Sequence, residues 1–425
     1  MNICLVSQEY PPETSSGGIG SQTYAKAHGL ASRGHEVCVL SASRTEIRRE
    51  FRDGPVRVLR IPGFHPRMRL HTEPAQWLTY SAEVAVVLSE LHASVPFDLV
   101  DFPEYGGEGY VFLLNRTEWN YVPAVIHLHG PLVMFTHTMG WPEKDSHFYR
   151  VGTAMESTCF GLADAVYSSS RCSAEWCTRY YGERRDLIPT IHTGVDCRLF
   201  KPDSAPKPNR PTVVFAGRMD SNKGIGTLVD AACVLSEEYP ELRLRIIGSG
   251  DPEFIESLRN KARDFDKPAL LEFTGYVPRE ELPAHLNQAH VFAAPSVYEG
   301  GPGFVYLEAM ACGLPVIACE GNGVSEVIRH QDNGFLIAPR DTPALVRILR
   351  ALLADAELRR SIGLRARRFV EAEADGRVCL ARLEAFYTSV ARRCARKEPP
   401  HRTGAVSYRR GKTNISAATK GARRP

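Results

Sequence analysis

Short apolar runs alternate with longer stretches of helical periodicity along the first part of the chain. The apolar runs that predict buried strands cover residues 3–7, 36–43, 97–102, 123–130 and 164–170. A helix is predicted between the first two runs, over about residues 21–33, because Gly34 follows it as a helix stop signal. This alternation of strands and helices is typical of a parallel, doubly wound α/β sheet.

The same alternation begins again after a break. Residues 200–211, FKPDSAPKPNRP, contain four prolines and few apolar side chains, as linkers do. Beyond this break, runs that predict strands occur at residues 212–217, 242–250, 271–277, 290–296 and 314–319. A chain of 425 residues is also long for a single hydrophobic core.

We therefore predict two doubly wound domains of similar size. The first covers residues 1–200, the linker residues 201–211 and the second domain residues 212–391, with a C-terminal tail at residues 392–425. Ligands of open α/β sheets bind at the carboxyl ends of the strands, so the cleft between the two domains is the expected site.

The net charge of +3 is unevenly distributed. The tail carries eleven basic side chains and one acid, Glu398, which makes it +10 and leaves the rest of the chain at −7. A mildly acidic body gives no indication of nucleic-acid binding. The tail has few apolar residues, so we predict that it is disordered. It is either a solvated tail or a contact to anionic lipid or RNA.

The eleven cysteines are scattered, without a CxxC pair or the spacing of a zinc site, which predicts a reducing compartment. The N-terminus has no signal-peptide pattern, and no run of 18 apolar residues offers a membrane span. We expect a cytoplasmic protein. The basic residues 65–71, HPRMRLH, are either a peripheral contact to the inner face of the membrane or a solvated loop.

The loop at residues 217–227, GRMDSNKGIGT, is a candidate phosphate site. Arg218 and Lys223 lie between a predicted strand and the start of a predicted helix. A helix N-terminus offers unpaired N–H groups and a partial positive charge, and two cations beside it favour a diphosphate. The patterns GxxxxGK[ST] and GxGxxG are absent, which counts against a Walker A loop and against NAD or FAD. A solvated loop is the alternative.

Two features of the first domain are weaker candidates. The glycine-rich loop that contains Gly17 and Gly18 allows close approach of backbone to a ligand, although a plain turn has the same composition. His127 and His129 end the strand PAVIHLHG. We predict that their rings point to opposite faces of the sheet, so that one of them faces the cleft. A hydrogen-bonded structural role is the alternative for either ring.

Two glutamates, Glu299 and Glu308, lie in the otherwise uncharged segment PSVYEGGPGFVYLEAMACGLPVI at residues 295–317. We place Glu299 in a loop and Glu308 in a helix that ends at Gly313. Carboxylates accept hydrogen bonds from vicinal hydroxyls of sugars and riboses. A pair of carboxylates also serves glycoside hydrolysis, but a neighbouring diphosphate site favours an activated sugar.

Together these motifs resemble a known family. The matching segments are GGIG, HTGVDCRLFKP, GRMDSNKGIGTLVDA, FTGYVPREEL, APSVYEGGPGFVYLEAMACGLPVIA and EVIRHQDNGFLI. In these segments the chain resembles the retaining GT-B glycosyltransferases of the glycosyltransferase group 1, or GT4, family, which includes mannosyl-, glucosyl- and sucrose-type synthases. The resemblance implies two Rossmann-like domains and a nucleoside diphosphate-sugar held mainly by the second domain.

The resemblance also implies roles for single residues. Arg218 and Lys223 would bind the diphosphate, Glu308 the ribose and Glu299 the donor sugar. His129 would lie near the reacting end of that sugar. The implied catalytic residues are His129, Arg218, Lys223 and Glu299, and the implied donor-binding residues are Gly17, Gly18, Arg218, Lys223, Glu299, Gly303, Phe304 and Glu308. No metal and no other cofactor is expected.

One departure concerns the loop between the two glutamates. The family usually has seven residues between them, whereas eight, GGPGFVYL, lie between Glu299 and Glu308. Glu308 keeps its place before AMACG, so the extra residue falls in the loop that would touch the donor sugar.

The predicted function is transfer of a hexose from a nucleoside diphosphate-sugar to an acceptor hydroxyl, with retention at the anomeric carbon. The acceptor is a glycan, lipid or small molecule, in surface polysaccharide or glycoconjugate biosynthesis. Two alternatives remain open. One is a phosphorylase or epimerase on the same scaffold, and the other is a non-catalytic protein that binds a nucleotide-sugar.

Overall fold

The structure is a computed structural model that describes residues 1–14, 18–63, 72–118, 120–184, 186–192 and 194–396. The strands are β1 (Asn2–Ser7), β2 (Glu36–Ser43), β3 (Arg49–Asp53), β4 (Val56–Pro62), β5 (Leu99–Pro103), β6 (Ala124–Leu128), β7 (Ala165–Ser168), β8 (Thr212–Ala216), β9 (Arg243–Ile247), β10 (Leu271–Gly275), β11 (Val291–Ala293), β12 (Val316–Cys319) and β13 (Phe335–Ile337).

The α-helices are α1 (Gly18–Ser32), α2 (Glu73–Ser94), α3 (Tyr110–Leu114), α4 (Leu132–Met139), α5 (His147–Leu162), α6 (Arg171–Tyr181), α7 (Ile225–Leu235), α8 (Pro252–Asp264), α9 (Leu282–Asn287), α10 (Phe304–Ala311), α11 (Thr342–Ala354), α12 (Ala356–Phe369) and α13 (Gly376–Ala395).

The strands form two sheets. The first has the order β3-β4-β2-β1-β5-β6-β7 and the second has the order β10-β9-β8-β11-β12-β13. All pairings are parallel except that of β3 with β4. The sequence pattern predicted neither of these two strands, because β3 (REFRD) is largely exposed and β4 (VRVLRIP) is interrupted by arginines. One of those arginines, Arg60, is nevertheless fully buried and bonded to backbone carbonyls.

The last helix returns from the second domain to the first. Val195 lies in the segment that leads from the first domain to the second. Its backbone pairs with that of Asp375, which caps the N-terminus of α13. Helix α13 then packs on α1, where Leu380 lies against Gly29. It continues to Ala395, so the prediction of a disordered tail from residue 392 is wrong for residues 392–395. The tail from residue 397 onward lies outside the described residues.

A buried carboxylate joins this helix to the first sheet. Asp101, on β5, accepts hydrogen bonds from Lys26 Nζ at 2.8 Å, from the Tyr167 hydroxyl at 2.8 Å and from the Tyr387 hydroxyl of α13. Its side chain is 1% exposed. Because a buried charge is costly unless it is paired, this group fixes the position of α13 on the first domain.

No helix in the described part of the chain is long and apolar enough to cross a lipid bilayer. All eleven cysteines lie within the described ranges and are free thiols. The basic segment at residues 65–71, which the sequence analysis considered for membrane contact, lies outside the described residues.

The buried Asp101 gives a stability prediction. Asp101→Asn leaves the Lys26 ammonium without its counter-ion in the core, and we expect a loss of about 3–5 kcal/mol in the free energy of unfolding. Glu50→Gln is the matched control, because it removes an exposed ion pair to Arg57 and should cost less than about 1 kcal/mol. Urea unfolding followed by circular dichroism measures both, and equal effects of the two variants would contradict this role of Asp101.

Candidate functional site

The loop after β8 carries the two predicted phosphate-binding cations. Lys223 Nζ lies 2.7 Å from Glu299 Oε1, and both side chains are mostly buried. Arg218 is 68% exposed and faces Asp220 at 3.7 Å. The Asp220 carboxylate accepts a hydrogen bond from the Lys223 backbone N–H at 3.1 Å, which holds the loop in place. The structure therefore brings together Lys223 and Glu299, and it places Arg218 at the open edge of the same loop.

Gly224 explains how this loop approaches the next one. It has a φ of 70° and immediately precedes α7, so the helix begins at Ile225. A Cβ atom at Gly224 would lie 2.0 Å from the carbonyl oxygen of Pro295. Only glycine allows this contact, which packs the phosphate loop against the segment that leads to Glu299.

Glu308 has a partner that the sequence analysis did not assign. It lies on α10, its side chain is 5% exposed, and its Oε1 atom is 3.0 Å from a guanidinium nitrogen of Arg279. Burial raises the pKa of Glu308, and the Arg279 charge opposes that rise. The Arg279 guanidinium also stacks near the rings of Phe200 and Phe304, at 5.6 and 5.5 Å from their centroids. The predicted helix end is confirmed, since α10 ends at Ala311, two residues before Gly313.

The start of α10 connects the two glutamates. Gly303 precedes the helix, and a Cβ atom there would lie 3.8 Å from Glu299 Oε2. Phe304 is the first helical residue, and its ring supports Arg279. A series of neighbouring groups therefore runs from Lys223 through Glu299, Gly303 and Phe304 to Arg279 and Glu308, and we call it the strip from Lys223 to Glu308.

His129 lies in the turn that follows β6. Its ring centroid is 3.9 Å from that of His127, so the prediction that the two rings point to opposite faces is wrong. Residues two apart in a strand share a face, which explains the error. The His127 ring bonds Ser169 Oγ at 2.9 Å and approaches Lys26 Nζ at 3.3 Å. Burial lowers the pKa of both histidines, and the Lys26 charge lowers them further.

The loop with the extra residue is where the second domain contacts the first. Gly300 lies so close to the His129–Gly130 turn that a Cβ atom there would be 2.0 Å from the His129 carbonyl oxygen. The Gly300 carbonyl oxygen accepts hydrogen bonds from Ser170 Oγ at 2.5 Å and Ser173 Oγ at 2.6 Å. Beside it, the Tyr298 ring lies 4.4 Å from that of Phe135 on α4.

A carboxylate of the second domain reinforces this contact. Glu326 accepts hydrogen bonds from the backbone N–H groups of Arg171 at 2.9 Å and Cys172 at 2.8 Å. These are the first two residues of α6, where N–H groups lack partners within the helix and negative charge is stabilised. The first turn of α6 therefore binds the second domain through both its serines and its amides.

The glycine-rich loop of the first domain is described only in part. Gly18 is the first residue of α1 and is exposed, and a Cβ atom there would meet no atom of the described residues within 4 Å. Gly17 lies outside the described residues.

Some residues of the site were missed from the sequence. Arg279 lies in the motif FTGYVPREEL, and the sequence predicted no role for this arginine. Tyr298 is marked in the sequence only as the neighbour of the predicted sugar-binding residue Glu299. Glu104 is marked only as a carboxylate directly after a buried strand. No local pattern marks the serines of α6, because their partner is a carbonyl group more than a hundred residues away.

Family models match both halves of the chain. Residues 198–369 match the model described as "Glycosyl transferases group 1", and residues 17–194 match the "Glycosyl transferase 4-like domain". The two matches meet just before the linker.

Curated relatives carry related descriptions. The chain is 31% identical to the GDP-mannose-dependent alpha-(1-6)-phosphatidylinositol monomannoside mannosyltransferase of Mycobacterium tuberculosis over 56% of this chain, which spans 63% of that enzyme's length. The enzyme of the same name from Mycolicibacterium smegmatis is 30% identical, over 59% of this chain and 71% of its own length. The D-inositol 3-phosphate glycosyltransferase of Xylanimonas cellulosilytica is 29% identical over 91% of this chain and 95% of its own.

Solved structures share the fold. Sucrose-phosphate synthase from Thermosynechococcus elongatus superposes with a TM-score of 0.78 at 22% identity, covering 92% of this chain and 98% of its own. The Anabaena protein HepE, solved with UDP and glucose, gives a TM-score of 0.69 at 21% identity, covering 92% of this chain and 100% of its own. These neighbours confirm the GT-B arrangement of two Rossmann-like domains. The chain belongs to the group 1 glycosyl transferases, as its motifs indicated.

Proposed function

We propose that this protein transfers a hexose from a nucleoside diphosphate-sugar to an acceptor hydroxyl, with retention of configuration at the anomeric carbon. The observation that carries the proposal is the strip of side chains from Lys223 to Glu308. In it Lys223 pairs with Glu299, Glu308 pairs with Arg279, and the exposed Arg218 lies in the same loop as Lys223. It combines two cations for a diphosphate with two carboxylates for hydroxyl groups.

The cations act on the leaving group. When the bond between the anomeric carbon and the phosphate oxygen breaks, negative charge grows on the departing diphosphate. Arg218, Lys223 and the N-terminus of α7 would stabilise that charge most strongly in the transition state, which is the condition for raising kcat. Lys223 would then exchange part of its contact with Glu299 for the diphosphate.

The carboxylates orient the donor. Glu308 is buried and held by Arg279, and its Oε2 atom is the one we assign to the ribose hydroxyls. Glu299 immediately precedes Gly300, which packs against the His129 carbonyl group of the first domain, so we assign Glu299 to hydroxyl groups of the donor sugar. The lowered pKa of His129 keeps its ring neutral, which suits a hydrogen bond to the sugar and does not suit proton donation as an imidazolium.

Retention follows from front-face attack in this scheme. Both carboxylates of the strip, Glu299 and Glu308, are assigned to hydroxyl groups of the donor, so neither is assigned as a nucleophile. We therefore infer that the acceptor oxygen bonds to the anomeric carbon on the face that the diphosphate leaves, and that the acceptor proton passes to the departing phosphate oxygen. Closure of the two domains would exclude water and limit hydrolysis of the donor.

The comparisons suggest which donors and acceptors to test. Relatives are named for GDP-mannose, and the neighbour HepE was solved with UDP-glucose. The acceptors in the relatives' names are a phosphatidylinositol mannoside and D-inositol 3-phosphate. We propose an acceptor of this hydroxyl-rich, phosphate-bearing class and a role in glycoconjugate biosynthesis, with the protein acting in the cytoplasm.

Donor binding is the first test. One of GDP-mannose, UDP-glucose, GDP and UDP should raise the melting temperature by several degrees, because a ligand at 100 times its Kd stabilises the fold by about 2.7 kcal/mol. Differential scanning fluorimetry measures the shift. Glu308→Gln should remove most of it, whereas no shift with any of the four compounds in the unaltered protein would contradict the donor assignment.

The phosphate assignment is tested by Lys223→Ala. We expect kcat to fall by about 100- to 1,000-fold, since a preorganised charge at the leaving group is lost. Lys261→Ala is the control, because that lysine also pairs with a carboxylate, Asp230, but on the outer surface between α7 and α8. Release of nucleotide from the donor is the assay. Near-normal turnover in the Lys223 variant would refute the assignment.

Metal independence is a separate prediction. Because Arg218 and Lys223 would neutralise the diphosphate, turnover should be unchanged, within about twofold, when EDTA is added or Mg²⁺ is supplied. A loss of activity in EDTA that Mg²⁺ or Mn²⁺ restores would show that a cation shares this role.

A further inference from the structure

A glutamate beneath the site has no counter-ion in the described part of the chain. Glu104 follows β5 directly, and its side chain is completely buried. Among the described residues, no lysine, arginine or histidine forms an ion pair with it. Burying a carboxylate without a counter-ion costs free energy, so other groups must stabilise its charge.

The partners of Glu104 are the backbone N–H groups of the turn after β6. The His129 N–H donates to Oε1 at 2.6 Å and to Oε2 at 2.7 Å, and the Gly130 N–H donates to Oε1 at 2.5 Å. The Glu104 N–H in turn donates to the His127 carbonyl oxygen at 3.1 Å. One side chain thus determines the path of the backbone that carries His129.

The second domain also contacts this turn. Gly300 packs against the His129 carbonyl group, and a Cβ atom at Gly130 would lie 2.2 Å from the Tyr298 hydroxyl. Glu299, the partner of Lys223, lies between Tyr298 and Gly300 in the sequence. The turn is therefore held both by Glu104 and by the loop of the second domain that carries Glu299.

We infer that Glu104 is a positioning residue for sugar transfer: its ionised carboxylate fixes the His129–Gly130 turn, and through Gly300 it sets where Glu299 and Lys223 lie relative to His129. This inference rests on the proposed function. It assigns no contact between Glu104 and the substrate.

Protonation of Glu104 should disturb the turn. A protonated carboxyl group accepts the turn's N–H groups more weakly and adds a hydroxyl hydrogen that needs an acceptor of its own. Burial raises the pKa of Glu104 to about 7, although the hydrogen bonds from Gly130 and His129 lower it. The ionisable groups that face it are Glu156 on α5, Cys177 on α6 and Tyr298 of the second domain.

The pH dependence of folding stability and that of kcat should have opposite signs, which distinguishes a positioning role of Glu104 from a purely stabilising one. Because the pKa of Glu104 is higher in the folded state than its ordinary value of 4.5, this carboxyl group favours the folded state more as pH falls from above 7 towards 4.5. The positioning role predicts the opposite trend for kcat, which should fall as Glu104 becomes protonated.

The experiment compares Glu104→Gln with the unaltered protein between pH 5.5 and 8.5, using nucleotide release from GDP-mannose or UDP-glucose. At pH 8 we expect kcat to be about 10- to 100-fold lower in the variant, because a small displacement of reacting groups costs that much. The variant should also lose the fall in kcat below about pH 7. Its Kd for GDP or UDP should stay within about twofold, since those contacts belong to the second domain.

Two further variants sharpen the test. Glu104→Asp keeps the charge and should retain a fall in kcat on the acid side. Glu108→Gln is the matched control: Glu108 is also buried, its pKa is raised to about 8, and it accepts the Gln8 N–H at 3.0 Å, away from the turn. Its kcat profile should match that of the unaltered protein. A Glu104→Gln profile that matches it as well would overturn the inference.

A second readout does not depend on turnover. Hydrogen exchange at the His129 and Gly130 amides, followed by mass spectrometry, should be faster in Glu104→Gln than in Glu108→Gln. Unchanged protection would overturn the inference even if transfer is observed. If the unaltered protein turns over no donor, the proposed function fails, and the exchange result alone decides whether Glu104 holds the turn.

Discussion

The backbone of Gly300 lies directly against the backbone of His129, with no room for a side chain between them. A Cβ atom at Gly300 would be 2.0 Å from the His129 carbonyl oxygen, and two hydroxyls of the first domain, Ser170 and Ser173, bond the Gly300 carbonyl oxygen. Because Glu299 immediately precedes Gly300, this contact sets the separation between the histidine of one domain and the ion pair of the other. The loop that is one residue longer in this chain than is usual in the family therefore lies at a contact between the two domains.

The two domains hold the buried glutamates of the candidate site in different ways. In the second domain each glutamate of the site has a cation, Lys223 for Glu299 and Arg279 for Glu308. In the first domain Glu104 accepts hydrogen bonds from backbone N–H groups, no cation among the described residues pairs with it, and burial raises its pKa to about 7. The proposed donor site thus contains charge pairs that a diphosphate and hydroxyls could rearrange. On the first-domain side, the proposed site contains a turn held by hydrogen bonds from its backbone N–H groups to Glu104.

Much of the fold was predictable because parallel strands are buried on both faces and appear as apolar runs. Three strands were missed: β3 and β4 carry arginines, and β13 is only three residues long. Arg60 could not be recognised as buried because its partners are distant carbonyl groups. Lys223 and Glu308 were found because motifs place them beside a glycine-rich loop and on an apolar helix. Glu104 was not predicted, because the donors to its carboxylate are backbone N–H groups, which leave no pattern in the sequence. The return of α13 to the first domain depends on tertiary contacts such as that of Tyr387 with Asp101.

The central claim is that the strip from Lys223 to Glu308 binds a nucleoside diphosphate and presents its sugar to the His129 turn. A crystal structure of the protein with UDP or GDP tests this most directly. We predict that phosphate oxygens lie about 2.7–3.2 Å from the side-chain nitrogens of Arg218 and Lys223, with the ribose hydroxyls on Glu308. A nucleotide bound elsewhere, or one whose phosphates contact neither cation, would contradict the account.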